Sequence, residues 1–317
     1  MILVTGAAGF IGFHISKKLL KKGKKVLGVD NLNDYYDVSL KEKRVNELNK
    51  NDDFSFKKMD IADIDKSLME DVEFIFHEAA YAGVRNSIED PMLYDRVNVH
   101  DTVRLLKLSA ETDVKKFMFA SSSSVYGETE KFPTPETDSL SPKSPYGVSK
   151  LAAEKYCDAF YKCYGLNTIS FRYFTVYGPW GRPDMAVLLA IKSCLEQKPY
   201  FKIFKKNGKI VPFTRDFSYI DDVVQANILA MESDVENGVY NVSAKSEVSV
   251  KKVIDLVEEY TGKSLVAKED EPSPADPLRT LGDVSKITKE LGYEPTTQIE
   301  EGIKKTIEWF KEYKGYE

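Results

Sequence analysis

Cysteine and histidine are scarce in this 317-residue chain, with three of each. Cys157, Cys163 and Cys194 contain no CxxC pair and their number is odd, which argues for unpaired, buried thiols in a reducing cytoplasm rather than a disulfide framework. His14, His77 and His100 lie far apart without metal-ligand spacing, so each reads as structural and no metal is expected. No apolar run approaches membrane-spanning length, and the chain starts directly on the strand-like Ile2-Leu3-Val4, so the expected location is the cytoplasm. The net charge of -5 gives no broad attraction to nucleic acid or to an anionic membrane. Internal repeats and low-complexity tracts are also missing. What remains, 42% hydrophobic and 30% charged residues, describes a soluble globular protein long enough for one large α/β domain and a smaller lobe.

Short apolar runs alternate with amphipathic segments through the first half, the pattern of a parallel sheet covered by helices. Strands are expected at Ile2–Val4, Lys25–Val29, Phe54–Met59, Phe74–Phe76, Lys116–Ala120 and Thr168–Tyr173, with a helix from Gly12 to Leu20. Gly178-Pro179-Trp180-Gly181-Arg182-Pro183 then breaks regular structure. Asp216 to Met231 reads as a short strand and helix returning to the first domain. The polar, proline-rich Lys268–Pro277 stretch precedes two helix-like segments. The expected division is a doubly wound, Rossmann-type domain over 1–173 and 214–243, with a substrate lobe over 174–213 and 244–317.

Thr5-Gly6-Ala7-Ala8-Gly9-Phe10-Ile11-Gly12 joins the first strand to the first helix. Gly6 permits the tight turn, Gly9 lets the backbone approach a pyrophosphate, and Gly12 allows close helix–sheet packing. The helix N-terminus offers free N–H groups to the anion. Asp30 follows Gly12 by 18 residues and ends the second strand, where its carboxylate can accept from a ribose diol. It would repel a 2′-phosphate, and Asn31-Leu32 supplies no compensating cation, so NAD is favoured over NADP.

Tyr146-Gly147-Val148-Ser149-Lys150 follows Ser144-Pro145, a reasonable helix entry, and places Tyr146 and Lys150 on one helical face. A tyrosine titrates at about 10, so a base working near pH 7 requires a shift of roughly 4 kcal/mol. A lysine ammonium about 4 Å away can supply up to ~4 kcal/mol at an effective dielectric of ~20, with desolvation acting against it. Upstream lies a serine run, Ser121-Ser122-Ser123-Ser124-Val125-Tyr126-Gly127, that contains no carboxylate.

These three motifs make the chain resemble an extended short-chain dehydrogenase/reductase from Met1 to about Lys305. Within that superfamily it is most similar to the UDP-glucuronate 4-epimerases, most specifically in Asp30–Asp37 and Arg172–Met185, with support from Tyr81–Arg85. The resemblance implies catalysis by Ser122, Tyr146 and Lys150. Tyr146 would take the 4-hydroxyl proton while C4 gives hydride to NAD, and a 4-keto sugar would turn over before reduction. Cofactor contacts are implied at Gly6, Gly9, Phe10, Ile11, Gly12, Asp30, Asn31, Asp60, Ile61, Ala79, Ala80, Asn98, Tyr146, Lys150 and Tyr173.

Related dehydratases and decarboxylases usually carry Glu before Val-Tyr-Gly, where this chain has Ser124. Serine hydroxyls cannot act as carboxylate acids or bases. Ser123, Ser124 and Thr175 are therefore expected to hold a sugar carboxylate, and Ser121 to cap backbone groups. Thr175 replaces the Asn typical of UDP-glucose 4-epimerases. Arg85, Arg182, Arg215 and Arg279 are the cations expected to meet the UDP-sugar. Lys205–Thr214 is longer than the family segment, and Tyr81 stands where many relatives show Gln. A homodimer through helices near Asn98–Ala110 and Ser149–Tyr164 is implied. The competing readings are a 4-epimerase of neutral UDP-hexoses, a decarboxylase, and a non-catalytic NAD-binding regulator.

Overall fold

The computed structural model describes residues 1–316; Glu317, the end of the expected substrate lobe, lies outside them. In chain order the strands are β1 (Ile2–Thr5), β2 (Val26–Asp30), β3 (Phe54–Lys58), β4 (Phe74–His77), β5 (Lys116–Ser122), β6 (Thr168–Tyr173), β7 (Thr175–Tyr177), β8 (Phe201–Lys206), β9 (Lys209–Ile210), β10 (Thr214–Tyr219), β11 (Asn237–Val242), β12 (Glu247–Ser249) and β13 (Ala267–Asp270). Seven of them form a sheet in the order β11-β6-β5-β4-β1-β2-β3, each neighbouring pair parallel. β1, β5 and β6 are buried along their whole length, although β6 alternates apolar residues with Thr168, Ser170 and Arg172. Strand order reverses between β1 and β4, and ligands of doubly wound sheets sit outside the strand ends at such a point.

The six expected strands form with ends shifted by a residue or two, and the first helix covers Phe10–Lys21. β11 is a seventh strand that the sequence pattern does not isolate, because Asn237 and Gly238 interrupt its apolar character. β10 joins β7 and β12 in a separate three-stranded sheet, and the helix Ile220–Glu232 that follows it packs on the helix Phe10–Lys21. β8, β9 and β13 form a third sheet, so the long Lys205–Thr214 segment is largely a hairpin. The two segments after the proline-rich stretch are helices, Ser285–Leu291 and Ile299–Lys314.

Cys157 and Cys194 are buried, whereas Cys163 is exposed, contrary to the expectation that all three are interior. Cys163 lies on the solvent side of its helix. His77 is clamped between Thr5 Oγ1 (2.7 Å) and Thr102 Oγ1 (2.9 Å), and burial holds it down to about 3, a neutral bridge between β1 and a helix. Among the described residues, no helix is long and apolar enough to cross a membrane.

Candidate active site

The glycine turn fits a dinucleotide because side chains are sterically excluded from it. A Cβ on Gly6, which sits at φ +69°, would lie 2.7 Å from the Ala79 nitrogen, and one on Gly12 would lie 2.3 Å from the Gly6 carbonyl oxygen. That close packing brings Ala79, at the end of β4, against the turn. Asp30 accepts from the Ala8 and Leu32 N–H groups at 3.1 and 2.8 Å. Burial pushes its carboxyl up and these N–H groups oppose the shift. Asn31 donates to Asp60 (2.9 Å), which also accepts from the Ala62 N–H (3.1 Å) in the short turn that begins at Ile61. Gly6, Gly9, Gly12, Asp30, Asn31, Asp60 and Ile61 thus line one edge of the sheet's carboxyl end, with Phe10 and Ile11 opening the first helix.

Ser144 Oγ accepts from the Gly147 N–H at 3.1 Å, and with Pro145 in the first turn starts the helix Pro145–Tyr164; Gly165, at φ +70°, ends it. Gly147 lets this helix approach the serine turn, since a Cβ there would sit 2.7 Å from the Ser124 carbonyl oxygen. Tyr146 thereby faces Ser122, whose Oγ accepts from the Ser124 N–H at 3.1 Å. The backbone-capping role expected of Ser121 is thus taken by Ser122.

Asn98, in a π-helical turn over Arg96–Asp101, braces this helix. It pairs with both backbone groups of Tyr81 (2.9 Å each) and donates to Ser149 Oγ (3.0 Å), which donates to the Tyr146 carbonyl (2.8 Å). Both Nδ2 hydrogens of Asn98 are thus used within the protein.

The charge pattern around Tyr146 differs from the sequence expectation. Burial pushes its phenol up; the Ser122 hydrogen bond and then the Arg182 charge pull it down. Lys150 does not take the leading part. Its ammonium donates to the Ala120 carbonyl at 2.7 Å and faces Glu78, with burial pulling it down to about 8. Four residues along a helix fix a shared face, but the long lysine side chain follows the carbonyl of β5. Arg182, in the loop after β7, faces Tyr146 and pairs with Asp184.

Ser123 and Ser124, both half-buried, share a cavity with Lys143, Arg279, Ala275 and Pro277. Thr175 opens β7 beside Phe217 of β10. Arg85 pairs with Asp276 at 2.8 Å, and Arg279 pairs with both oxygens of Glu247 at 2.9 Å. Arg215 donates to the Thr214 and Leu278 carbonyls, and burial pulls its guanidinium down to about 10. Ser121 does not cap backbone: it donates to the Glu154 carboxylate at 2.9 Å, because Glu154 is buried in the helix facing β5.

Two residues were missed in the sequence. Arg44 is fully buried and donates to Ala8 O (2.8 Å), Tyr36 Oη (2.7 Å), Gly181 O (3.2 Å) and Trp180 O, tying the glycine turn to the Trp180–Arg182 loop. Nothing in the polar segment Val38–Leu48 distinguishes it from a solvated arginine. Glu78 had a signal, an acid directly after an apolar strand at the sheet's carboxyl end. Tyr173, expected at the cofactor, contacts this carboxyl.

The GDP-mannose 4,6 dehydratase family model matches residues 3–306. A UDP-glucuronate 4-epimerase of Thermodesulfobacterium geofontis is 41% identical over 98% of this chain and 96% of its own. The structure of a UDP-glucuronic acid 4-epimerase from Bacillus cereus, in complex with UDP-glucuronic acid and NAD, superposes with a TM-score of 0.92 at 36% identity, covering 98% of this chain and 99% of that one. A Thermotoga maritima UDP-glucose 4-epimerase with UDP-glucose is also 36% identical, at a TM-score of 0.88 and coverage of 98% and 99%.

Proposed function

This chain belongs to the GDP-mannose 4,6 dehydratase family of extended short-chain dehydrogenase/reductases, and we propose that it interconverts UDP-glucuronate and UDP-galacturonate as an NAD-dependent 4-epimerase. The observation that carries this reading is a carboxylate-free serine turn packed against the helix that bears Tyr146, with Arg182 as the facing cation. NAD, when bound, supplies reversible hydride acceptance at C4. The glycine turn, Asp30, Asn31, Asp60 and Ile61 would hold it, with Ala79, Ala80 and Tyr173 at the inner end.

Tyr146 takes the proton of the 4-hydroxyl and later returns it. Ser122 hydrogen-bonds that hydroxyl and the phenol together. Ser123, Ser124, Thr175 and Arg182 hold the sugar carboxylate, keeping the carbon–carbon bond to it out of alignment with the 4-ketone so that carbon dioxide is not lost. Arg85, Arg215 and Arg279 receive the UDP diphosphate, which competes with Asp276 and Glu247 for two of them. The proposed division into a cofactor domain (1–173, 214–243) and a substrate lobe (174–213, 244–317) rests on the helix Ile220–Glu232 packing on the helix Phe10–Lys21.

The Thermotoga maritima relative keeps a neutral UDP-hexose reading open. Purified protein incubated with UDP-glucuronate is expected to produce the anomeric NMR signal of UDP-galacturonate, at a kcat/KM at least ~100-fold above that for UDP-glucose, the cost of leaving buried polar groups unpaired. Equal turnover of both sugars would remove the assigned carboxylate contacts. UDP-xylose as the main product would overturn the role of the serine turn.

A homodimer is supported by apolar side chains left on the outer face of the helices Val84–Glu89, Pro91–Asp95 and Pro145–Tyr164: Met92 is 74% exposed, and Ile88, Val148 and Tyr164 are each 53% exposed. Light scattering is expected to give twice the 35.9 kDa chain mass; a monomer at micromolar concentration would count against it. The proposed location is the cytoplasm, in keeping with unpaired thiols. Recovery from another fraction after cell lysis would contradict it.

A further inference from the structure

Glu78 follows β4 at the sheet's carboxyl end, and its N–H donates to the Thr5 carbonyl at 3.2 Å. Its Oε1 is 3.0 Å from Tyr173 Oη, which is also 3.0 Å from Asn227 Oδ1. The Asn227 amide is oriented by its own Nδ2, which donates to the Val223 carbonyl at 2.9 Å, so Oδ1 must accept. A phenol has one hydrogen and cannot serve two acceptors fully. Both contacts are satisfied when Tyr173 donates to Asn227 and accepts a hydrogen from Glu78.

Of the charged groups facing this carboxyl, only the Lys150 ammonium favours its ionised form. Tyr173 lies on β6, and Lys150 and Tyr146 project from the helix Pro145–Tyr164. His77, the preceding residue, turns its ring to Thr5 and Thr102. Lys150 faces Glu78 and also Cys157, whose buried thiol is pushed up to about 12 and stays neutral. Among the described residues no ion pair holds the Glu78 carboxylate charged: Lys150 donates to Ala120 instead. An ionised Glu78 would place a negative charge toward Tyr146 and push its phenol further from phenolate.

We infer that Glu78 is a positioning residue that carries a proton in the resting protein, donating to Tyr173 and sparing Tyr146 a facing negative charge. Burial pushes the Glu78 carboxyl up to about 7, with the Tyr173 bond and Lys150 opposing. Because the folded value lies above the unfolded one of about 4.3, its contribution to stability is complete below about pH 4 and is lost as pH rises through the folded value. Its effect on Tyr146 rests on the epimerase reading; the proton itself does not, and can be read without turnover.

The test is NMR titration of the full chain carrying carbon-13 at glutamate carboxyls and lysine Cε, with Glu78→Gln identifying the Glu78 signal and Lys150→Met that of Lys150. Gln can still donate to Tyr173, so the variant keeps the hydrogen-bond chain. The expected result is a Glu78 transition near neutral pH and a Lys150 inflection at the same pH that disappears in E78Q. A Glu78 transition below about pH 5, the ordinary glutamate range, would overturn the retained proton. A Lys150 inflection that survives in E78Q would overturn the coupling. If E78Q does not fold, Glu78→Asp provides the assignment, since it too removes a glutamate signal. Inactivity toward UDP-sugars with these titrations intact would refute the epimerase reading alone.

Discussion

Replacing Tyr146 with Phe is expected to lower epimerase kcat by at least ~10³-fold while NAD stays bound, within the range a positioned acid–base group contributes. The substitution removes one oxygen and keeps the ring that packs edge-on to Tyr94 at 6.2 Å, so the helix and its entry should be undisturbed. The loss should appear in kcat more than in KM, because the hydroxyl acts on the reacting proton rather than on the diphosphate. The glycine turn and Asp30, the elements proposed to hold NAD, are not built by Tyr146. NMR of the sugar anomeric proton, with cofactor content measured on the same sample, checks both parts. Turnover within tenfold of the parent would mean that another group takes the proton.

The largest effect on stability is expected away from the reacting groups, at Glu154. Arg172, the penultimate residue before the end of β6, is 3% exposed and donates to Glu154 through Nη2 at 2.6 Å and Nε at 3.0 Å. Its Nη1 donates to Tyr126 Oη (2.9 Å) and the Glu136 carbonyl (3.0 Å), and Tyr126 donates to Asn241 of β11 at 2.7 Å. This network fastens β5, β6, β11 and the catalytic helix behind the serine turn. Glu154→Ala leaves a buried guanidinium uncompensated, which costs roughly 3–5 kcal/mol. Urea unfolding should register that loss, and Tm should fall on the order of 6–10 °C. A loss under about 1 kcal/mol would place Arg172 in contact with solvent and contradict the burial described above.

The two variants separate two layers of the site. Tyr146 and Ser122 are the groups proposed to touch the reacting hydroxyl. Glu154 and Arg172 hold the strand ends from which Ser122 and Tyr173 project. The family resemblance identifies the first layer, since its residues belong to short motifs. The second layer joins Arg172 to residues 18, 46 and 69 positions away in sequence. No periodicity marks such a set, and Glu154 reads from sequence as an ordinary charge on an amphipathic helix.

The parallel sheet, the glycine turn and the Tyr146–Lys150 helix are legible in the sequence, because short apolar runs mark strands packed between helices, a tight turn requires glycine, and a helix repeats locally. The sequence also showed that the serine turn has no carboxylate. The charges that face Tyr146 are set by packing between distant elements. Arg182 comes from the loop after β7 and Glu78 from the end of β4, while Lys150 turns its ammonium to Ala120. Side chains from separate elements meet because packing brings them together, and the electrostatics of a buried phenol depend on those meetings rather than on spacing along the chain.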